Sequence, residues 1–248
     1  MRNLLIFIAL LAGVQCGPQR ASEVLDKGGS LDLQGHRGMR GLFPENSILG
    51  FLKALELGVN TLELDIVMSG DTQLVVSHEP FISSAICQYP GGEQIPKETE
   101  KDLNMYHMTY QEIKAFDCGS LFNNDFLLQE KSRISKPLLT EILDTVEQVA
   151  TAKGQLIHYN IELKSELALE GVYHPEVAVF CQVAYQAIKD QVDWRRITIQ
   201  SFDFRILRYF NKYYPEVQLA LLIENELSWD LNIDSLGFKP EIYSCDYA

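Results

Sequence analysis

The feature that most restricts the fold of this chain is the alternation of two hydrophobic periods along it. From residue 31 onward, short runs with a two-residue period are followed by longer runs with a helical period. In residues 47–57, Ile48, Phe51, Leu52 and Leu55 recur at i, i+3, i+4 and i+7, and Gly58 stops the run. Strands are expected at 31–36, 61–68, 73–78, 156–163, 197–201, 218–223 and 241–245, the second and third joined by the turn Ser69-Gly70-Asp71 and all seven counted as barrel strands. Helices are expected at 47–57, at 140–150 with Thr140 as cap, at 175–189 and at 203–213. Strand–helix repetition predicts a mainly parallel sheet with helices outside. With 248 residues, 46% of them hydrophobic, one α/β barrel of the TIM type, (β/α)8, accommodates the chain. The strand count stops short of the eight that closure requires, so the chain reads as a barrel cut off before its last strand. Residues 79–138 break the rhythm with Pro90, the pair Gly91-Gly92, Pro96 and many polar residues, and read as an insertion after the third strand.

The expected domains are a signal segment, 1–17, and a barrel, 30–248, that carries this insertion. Arg2 precedes an apolar run from Leu4 to Val14 that is too short to span a membrane, followed by the small residues Cys16 and Gly17. This pattern predicts export from a bacterium-like cell, to the periplasm or, with Cys16 as a lipid-attachment residue, to the outer membrane. Gln15 fits lipid attachment poorly, since a small residue is usual there. Of the other cysteines, Cys87 and Cys118 flank the irregular segment and can pair in an oxidising compartment, while Cys181 lies on an apolar helical face and reads as core. A formal charge of −13, with no long Lys/Arg run, excludes a nucleic-acid footprint. An acidic chain that binds a phosphate needs a local cation, either a metal or a placed Arg. Nothing in the sequence fixes an oligomeric state.

The chemistry begins at Thr61-Leu62-Glu63-Leu64-Asp65-Ile66. Alternate side chains of a strand face opposite ways, so Glu63 and Asp65 share the inward face and the leucines face the helices. Two inward carboxylates repel and lose hydration unless a cation sits between them or one binds a proton. Asn160-Ile161-Glu162-Leu163-Lys164 repeats the pattern and adds a third carboxylate and an ammonium. Three oxygen donors without a spaced His/Cys pair suit one hard cation, Mg²⁺ or Ca²⁺. Lys164 either neutralises substrate charge or pairs with a nearby carboxylate. Gln34-Gly35-His36-Arg37-Gly38 ends the first strand, with glycines that let backbone approach a ligand, an imidazole able to move protons and a guanidinium suited to phosphate. His78, after Leu74-Val75-Val76-Ser77, supplies a second imidazole, and the two form a candidate acid–base pair at the carboxyl ends of neighbouring strands. His107, His158 and His174 lack such company.

Taken in order, Gly35-His36-Arg37-Gly38, Pro44-Glu45-Asn46-Ser47, Glu63-Leu64-Asp65, His78-Glu79, Glu162-Leu163-Lys164 and Gln200-Ser201-Phe202-Asp203 resemble the glycerophosphodiester phosphodiesterase family. The resemblance implies a TIM-type barrel with a small insertion after the second catalytic His. It implies His36 and His78 as the general acid–base pair, and Glu63, Asp65 and Glu162 as ligands of a divalent cation. It places Arg37 on the phosphate with Lys164 close by, and Glu45 behind them. The implied substrate is a small glycerophosphodiester, split into glycerol 3-phosphate and an alcohol. Glu79 and Ser47 stand where Asp and Thr are usual, and the family's last strand, which brings a Trp to the pocket, has no counterpart here. Two other readings use the same residues. A barrel phospholipase or sphingomyelinase-type phosphodiesterase would need an apolar rim, for which the insertion offers Phe81, Ile82, Tyr89 and Met105 but no sustained stripe. A non-catalytic phosphoester-binding homologue would show gaps in the catalytic set.

Overall fold

The computed structural model describes residues 31–245. The chain divides into an N-terminal unit, Met1–Asp32, and a second unit, Leu33–Ala248, whose fold is the one described below. The expected signal segment and Cys16 lie outside the described residues.

Six strands run parallel in the order β1 (Gln34–His36), β2 (Thr61–Met68), β4 (His158–Leu163), β5 (Ile197–Ser201), β6 (Gln218–Ile223) and β7 (Ile242–Cys245). Helices α1 (Ile48–Leu57), α3 (Leu139–Lys153), α4 (Val177–Ile188), α5 (Phe204–Tyr213) and α6 (Trp229–Leu236) alternate with them. This is a wall of a (β/α)8-type barrel, as the period alternation predicts. The strand β3 (Leu74–Val76) corrects the expected topology. It is antiparallel to β2, with Ile66 opposite Val76 and Met68 opposite Leu74, so it is the second arm of a hairpin and not a stave. The connection over Ser69–Gln73 is closed by the Ser69 N–H donating to the Gln73 carbonyl at 2.9 Å, and is far too short for the crossover a parallel neighbour requires.

Both faces of β2 are buried, as expected for a strand inside a parallel sheet. Leu62, Leu64 and Ile66 meet the helices in one core with Phe51 and Leu55 of α1, Ile142, Leu143 and Val146 of α3, Phe180 and Cys181 of α4, and Phe210 of α5. Cys181 is therefore core, as its position in the sequence implies. The helix α1 begins where the Ser47 hydroxyl accepts from the Gly50 N–H at 3.0 Å and ends at left-handed Gly58. For α3 the cap differs from expectation. Leu139 already belongs to the helix, and Glu141 accepts from the Leu138 N–H at 3.0 Å in place of a Thr140 cap. Among the described residues no helix is long and apolar enough to cross a membrane.

The segment between β3 and α3 has its own small core, in which Ile82, Ile95, Met105, Ile113 and Phe116 pack on Val67 and Val75 of the hairpin. A Cys87–Cys118 disulfide closes it. Helix α2 (Tyr110–Lys114) is set by a capping box, with Thr109 accepting from the Glu112 N–H and Glu112 from the Thr109 N–H. The turn of the hairpin is fastened to this insertion by the Gly70 N–H, 2.7 Å from the Met108 carbonyl.

The glycines around His36 also let α1 approach. A Cβ on Gly35 would lie 3.2 Å from that of Ala54, and one on Gly38 would lie 2.9 Å from the backbone of Gly50. Gly38 also has φ +78°, which an L side chain adopts at a cost. Gly38→Ala is expected to destabilise the fold by about 1–3 kcal/mol. An unchanged thermal midpoint would show that α1 yields without cost.

Candidate active site

The inward faces of neighbouring strands bring the candidate residues into register. His36 pairs with Glu63 across β1 and β2. Asp65 pairs with Glu162 and Glu63 with Asn160 across β2 and β4, and Glu162 pairs with Gln200 across β4 and β5. Like charges placed directly opposite in a sheet destabilise it, so this register needs a compensating cation. His36, Arg37, Glu63, Asp65, His78, Glu162 and Lys164 all line one cavity of about 710 Å³. Both imidazoles thus face the same space. His78 arrives there from the antiparallel hairpin and not, as expected, from the end of a parallel strand, and its Nδ1 lies 2.8 Å from Glu79 Oε1.

The carboxylate oxygens of Glu63, Asp65 and Glu162 lie within 4.8 Å of one another, and all three residues are buried. Burial, and then the neighbouring Asp65, push the Glu63 carboxyl up to about 8. Burial also raises Glu162 against the pull of Lys164. Asp65 is desolvated as well, but Lys164, His78 and Arg37 outweigh this and hold it low. Three hard oxygen donors this close, two of them driven toward protonation, fit a divalent cation.

The protein's own cations lie beside the same carboxylates. Lys164 Nζ is 2.8 Å from Glu162 and 3.8 Å from Asp65. Arg37 NH1 donates to Glu45 at 3.1 Å, and its Nε lies 3.4 Å from Asp65. The guanidinium expected on phosphate is thus bonded to Glu45, which is not part of the cavity lining. Arg37 takes φ +52°, and in this left-handed turn its backbone N–H donates to Glu63 at 2.8 Å. His36 lies 3.8 Å from Glu63, and burial followed by Arg37 and Arg40 lowers its imidazole below the ordinary histidine range.

Three positions that sequence reasoning left without a role hold this arrangement, namely Asn46, Gln200 and Glu79. Asn46, also left-handed at φ +50°, donates to Asp65 Oδ2 at 2.9 Å. Gln200 donates to Glu63 at 2.8 Å and accepts from Asn160 at 3.0 Å. The alternation of Thr198 and Gln200 with Ile197 and Ile199 is the signal that could have found Gln200. Glu79 holds His78. Lys136 is buried too, two residues before Leu138, which bridges Val75 of the hairpin; burial lowers its ammonium, while Glu45, Glu79 and Asp65 oppose this. His174, by contrast, is structural, with both ring nitrogens bonded to backbone at Pro175 and Glu166.

The model of the glycerophosphoryl diester phosphodiesterase family matches residues 36–235, which include every side chain of the cavity except those of Gln34, Ile242 and Ser244. The chain belongs to that family. Members of the glycerophosphoryl diester phosphodiesterase family are phosphoric diester hydrolases, and this is the enzyme class of the chain. A glycerophosphodiester phosphodiesterase of Bacillus altitudinis is 29% identical over 212 residues, covering 84% of this chain and 74% of that one. Another, from Caldanaerobacter subterraneus subsp. tengcongensis, is 30% identical over 189 residues, 76% of this chain and 65% of its own. A crystal structure of a candidate member from Silicibacter pomeroyi superposes with a TM-score of 0.76 at 27% identity, over 88% of this chain and 75% of the other. The fold is shared too by an Oleispira antarctica phosphodiesterase solved with sn-glycerol-3-phosphate, at TM-score 0.62 and 20% identity, over 84% and 72% of the two chains.

Proposed function

We propose that this chain hydrolyses glycerophosphodiesters to glycerol 3-phosphate and an alcohol, using His36 and His78 for proton transfer and one divalent cation, Mg²⁺ or Ca²⁺, held by Glu63, Asp65 and Glu162. The observation that carries this reading is the meeting of three buried carboxylates and two imidazoles on one cavity. When bound, such a cation draws charge from the non-bridging oxygens of the phosphoryl group. His36, held neutral to lower pH than an ordinary histidine, suits the acceptance of a proton from the nucleophile, either water or the neighbouring glycerol hydroxyl. Glu79 on Nδ1 of His78 favours the tautomer that keeps Nε2 for the cavity. Lys164 and Arg37 place positive charge where a phosphate would sit.

The lipid-directed alternative finds less support, because Ile82 and Met105 are buried in the core of the insertion and cannot form a rim. Export to an oxidising compartment, with or without lipid on Cys16, belongs to the same proposal. It is supported by the apolar run from Leu4 to Val14 and by the Cys87–Cys118 bridge. The deciding assay is release of glycerol 3-phosphate from glycerophosphocholine by the full chain, with and without added Mg²⁺ or Ca²⁺. Metal-dependent release is the expected result. Binding without turnover would favour the non-catalytic alternative and sink this one.

A further inference from the structure

A second cavity, of about 490 Å³, opens off the first and shares His78, Glu162, Lys164, Phe202 and Glu224 with it, but not His36. Its outer wall comes from two segments that are tied together. Phe81 of the insertion faces Tyr173 of the loop after β4, with ring centroids 6.3 Å apart, and the Asn104 side chain donates to the Val172 carbonyl at 2.7 Å. His174 fixes that loop from beneath through its bonds to Pro175 and Glu166. The cavity is therefore built by folded structure. A phosphodiester seated at the carboxylate triad has two arms, and this space borders His78 and not His36.

The chemistry of the wall selects among alcohols. Phe81, Tyr173 and Phe202 contribute aromatic surface, and among the described residues none of these rings carries a lysine or arginine of the protein. Beyond the metal triad, and with Glu79 engaged by His78 and Lys164 by Glu162 and Asp65, the cavity sets the carboxylates of Glu166 and Glu224 against Lys101. An apolar, aromatic wall with surplus negative charge favours a cation clothed in methyl groups over a neutral polyol or an anion.

We infer that this cavity is the leaving-group subsite, and that it selects glycerophosphodiesters whose alcohol carries a quaternary or primary ammonium, with choline preferred over a neutral alcohol such as glycerol. The inference rests on the phosphodiesterase reading and names its substrate class. The test compares kcat/KM of the full chain, with its cation, for glycerophosphocholine and glycerophosphoglycerol, and repeats the comparison in Tyr173→Leu, Phe81→Leu and Glu166→Gln. The choline ester should be favoured about tenfold, the scale of one desolvated cation–ring contact. The ratio should fall toward one in at least one ring variant, with free choline losing potency as a competitive inhibitor in the same variant. Glu166 is exposed, so Glu166→Gln keeps the test usable if a ring variant fails to fold. Glycerol 3-phosphate release from both esters with a ratio at or below one, or a ratio that no variant moves, overturns the subsite while leaving the phosphodiesterase reading standing. No release from either ester overturns both.

Discussion

Replacing His36 or His78 by alanine should lower turnover of a glycerophosphodiester by about 10²–10⁴-fold, the usual worth of a positioned proton donor or acceptor. Neither imidazole is part of the hydrophobic core: His36 stands at the end of β1 with most of its surface accessible, its ring only partly desolvated by the surrounding site, and His78 is half-buried on the rim of the hairpin. Their removal opens no core cavity, so circular dichroism and the thermal midpoint should stay close to those of the parent. His36 sits 3.8 Å from Glu63, which raises a second explanation for any loss, namely a weakened cation site. Metal affinity measured in the same variants separates the two, because loss of a proton carrier leaves that affinity nearly unchanged. The pH profile gives a further check. His36 is lowered from the ordinary 6.5 by burial, Arg37 and Arg40, so it remains a neutral acceptor to lower pH, and the acid limb of the rate should fall below 6.5. In His36→Ala that limb should disappear. Near-normal turnover in either histidine variant would sink the acid–base assignment.

The parts of this site that could be read in the sequence are those governed by strand alternation. Glu63 and Asp65 had to share a face once residues 61–68 were a strand, and the register of β4 against β2 then set Glu162 beside Asp65. What escaped is what alternation does not govern. The hairpin arm β3 carries the same apolar pattern as a stave, and only the shortness of the turn before it marks it as antiparallel. Helix α6 was not expected because its apolar period is broken: Asn232 is fully buried beside Ile233 and Leu236, bonded to Asn225 and Tyr243, whereas Leu231 is exposed. Its ends were nevertheless legible, with Ser228 capping the start and left-handed Gly237 closing it. The direction of the Arg37 side chain depends on a left-handed backbone at a non-glycine residue, which composition and period do not reveal. The same holds for Asn46, whose role on Asp65 follows from its own left-handed turn.

Removal of the divalent cation should abolish turnover and, in addition, reverse the pH dependence of stability near neutrality. In the chelated protein, Glu63 is raised to about 8 by burial and by Asp65, and Glu162 is raised by burial. Between the ordinary glutamate value near 4.5 and about pH 8, the folded chain therefore binds more protons at these positions than the unfolded chain does. Stability falls with rising pH wherever the folded state holds the extra proton, so the chelated protein should become less stable from about pH 5 to pH 8. Asp65 does not oppose this trend in that window, since its shift is downward from 3.8 and it is ionised in both states above pH 5. His36, lowered from 6.5, opposes it below about pH 6.5, so the fall is read most cleanly between pH 6.5 and pH 8. A cation that binds the ionised triad displaces the proton and stabilises only the folded chain, by about 2.7 kcal/mol at a free concentration of a hundred times its Kd. Because fewer protons compete at pH 8 than at pH 6, the gain in thermal midpoint on adding Mg²⁺ or Ca²⁺ should be larger at pH 8 than at pH 6. Calorimetric titrations in buffers of different ionisation enthalpy should also show protons released on binding near neutral pH. If the chelated protein is equally stable across this range, and neither ion shifts its midpoint, then Lys164 and Arg37 satisfy the three carboxylates unaided and the cation-based reading fails.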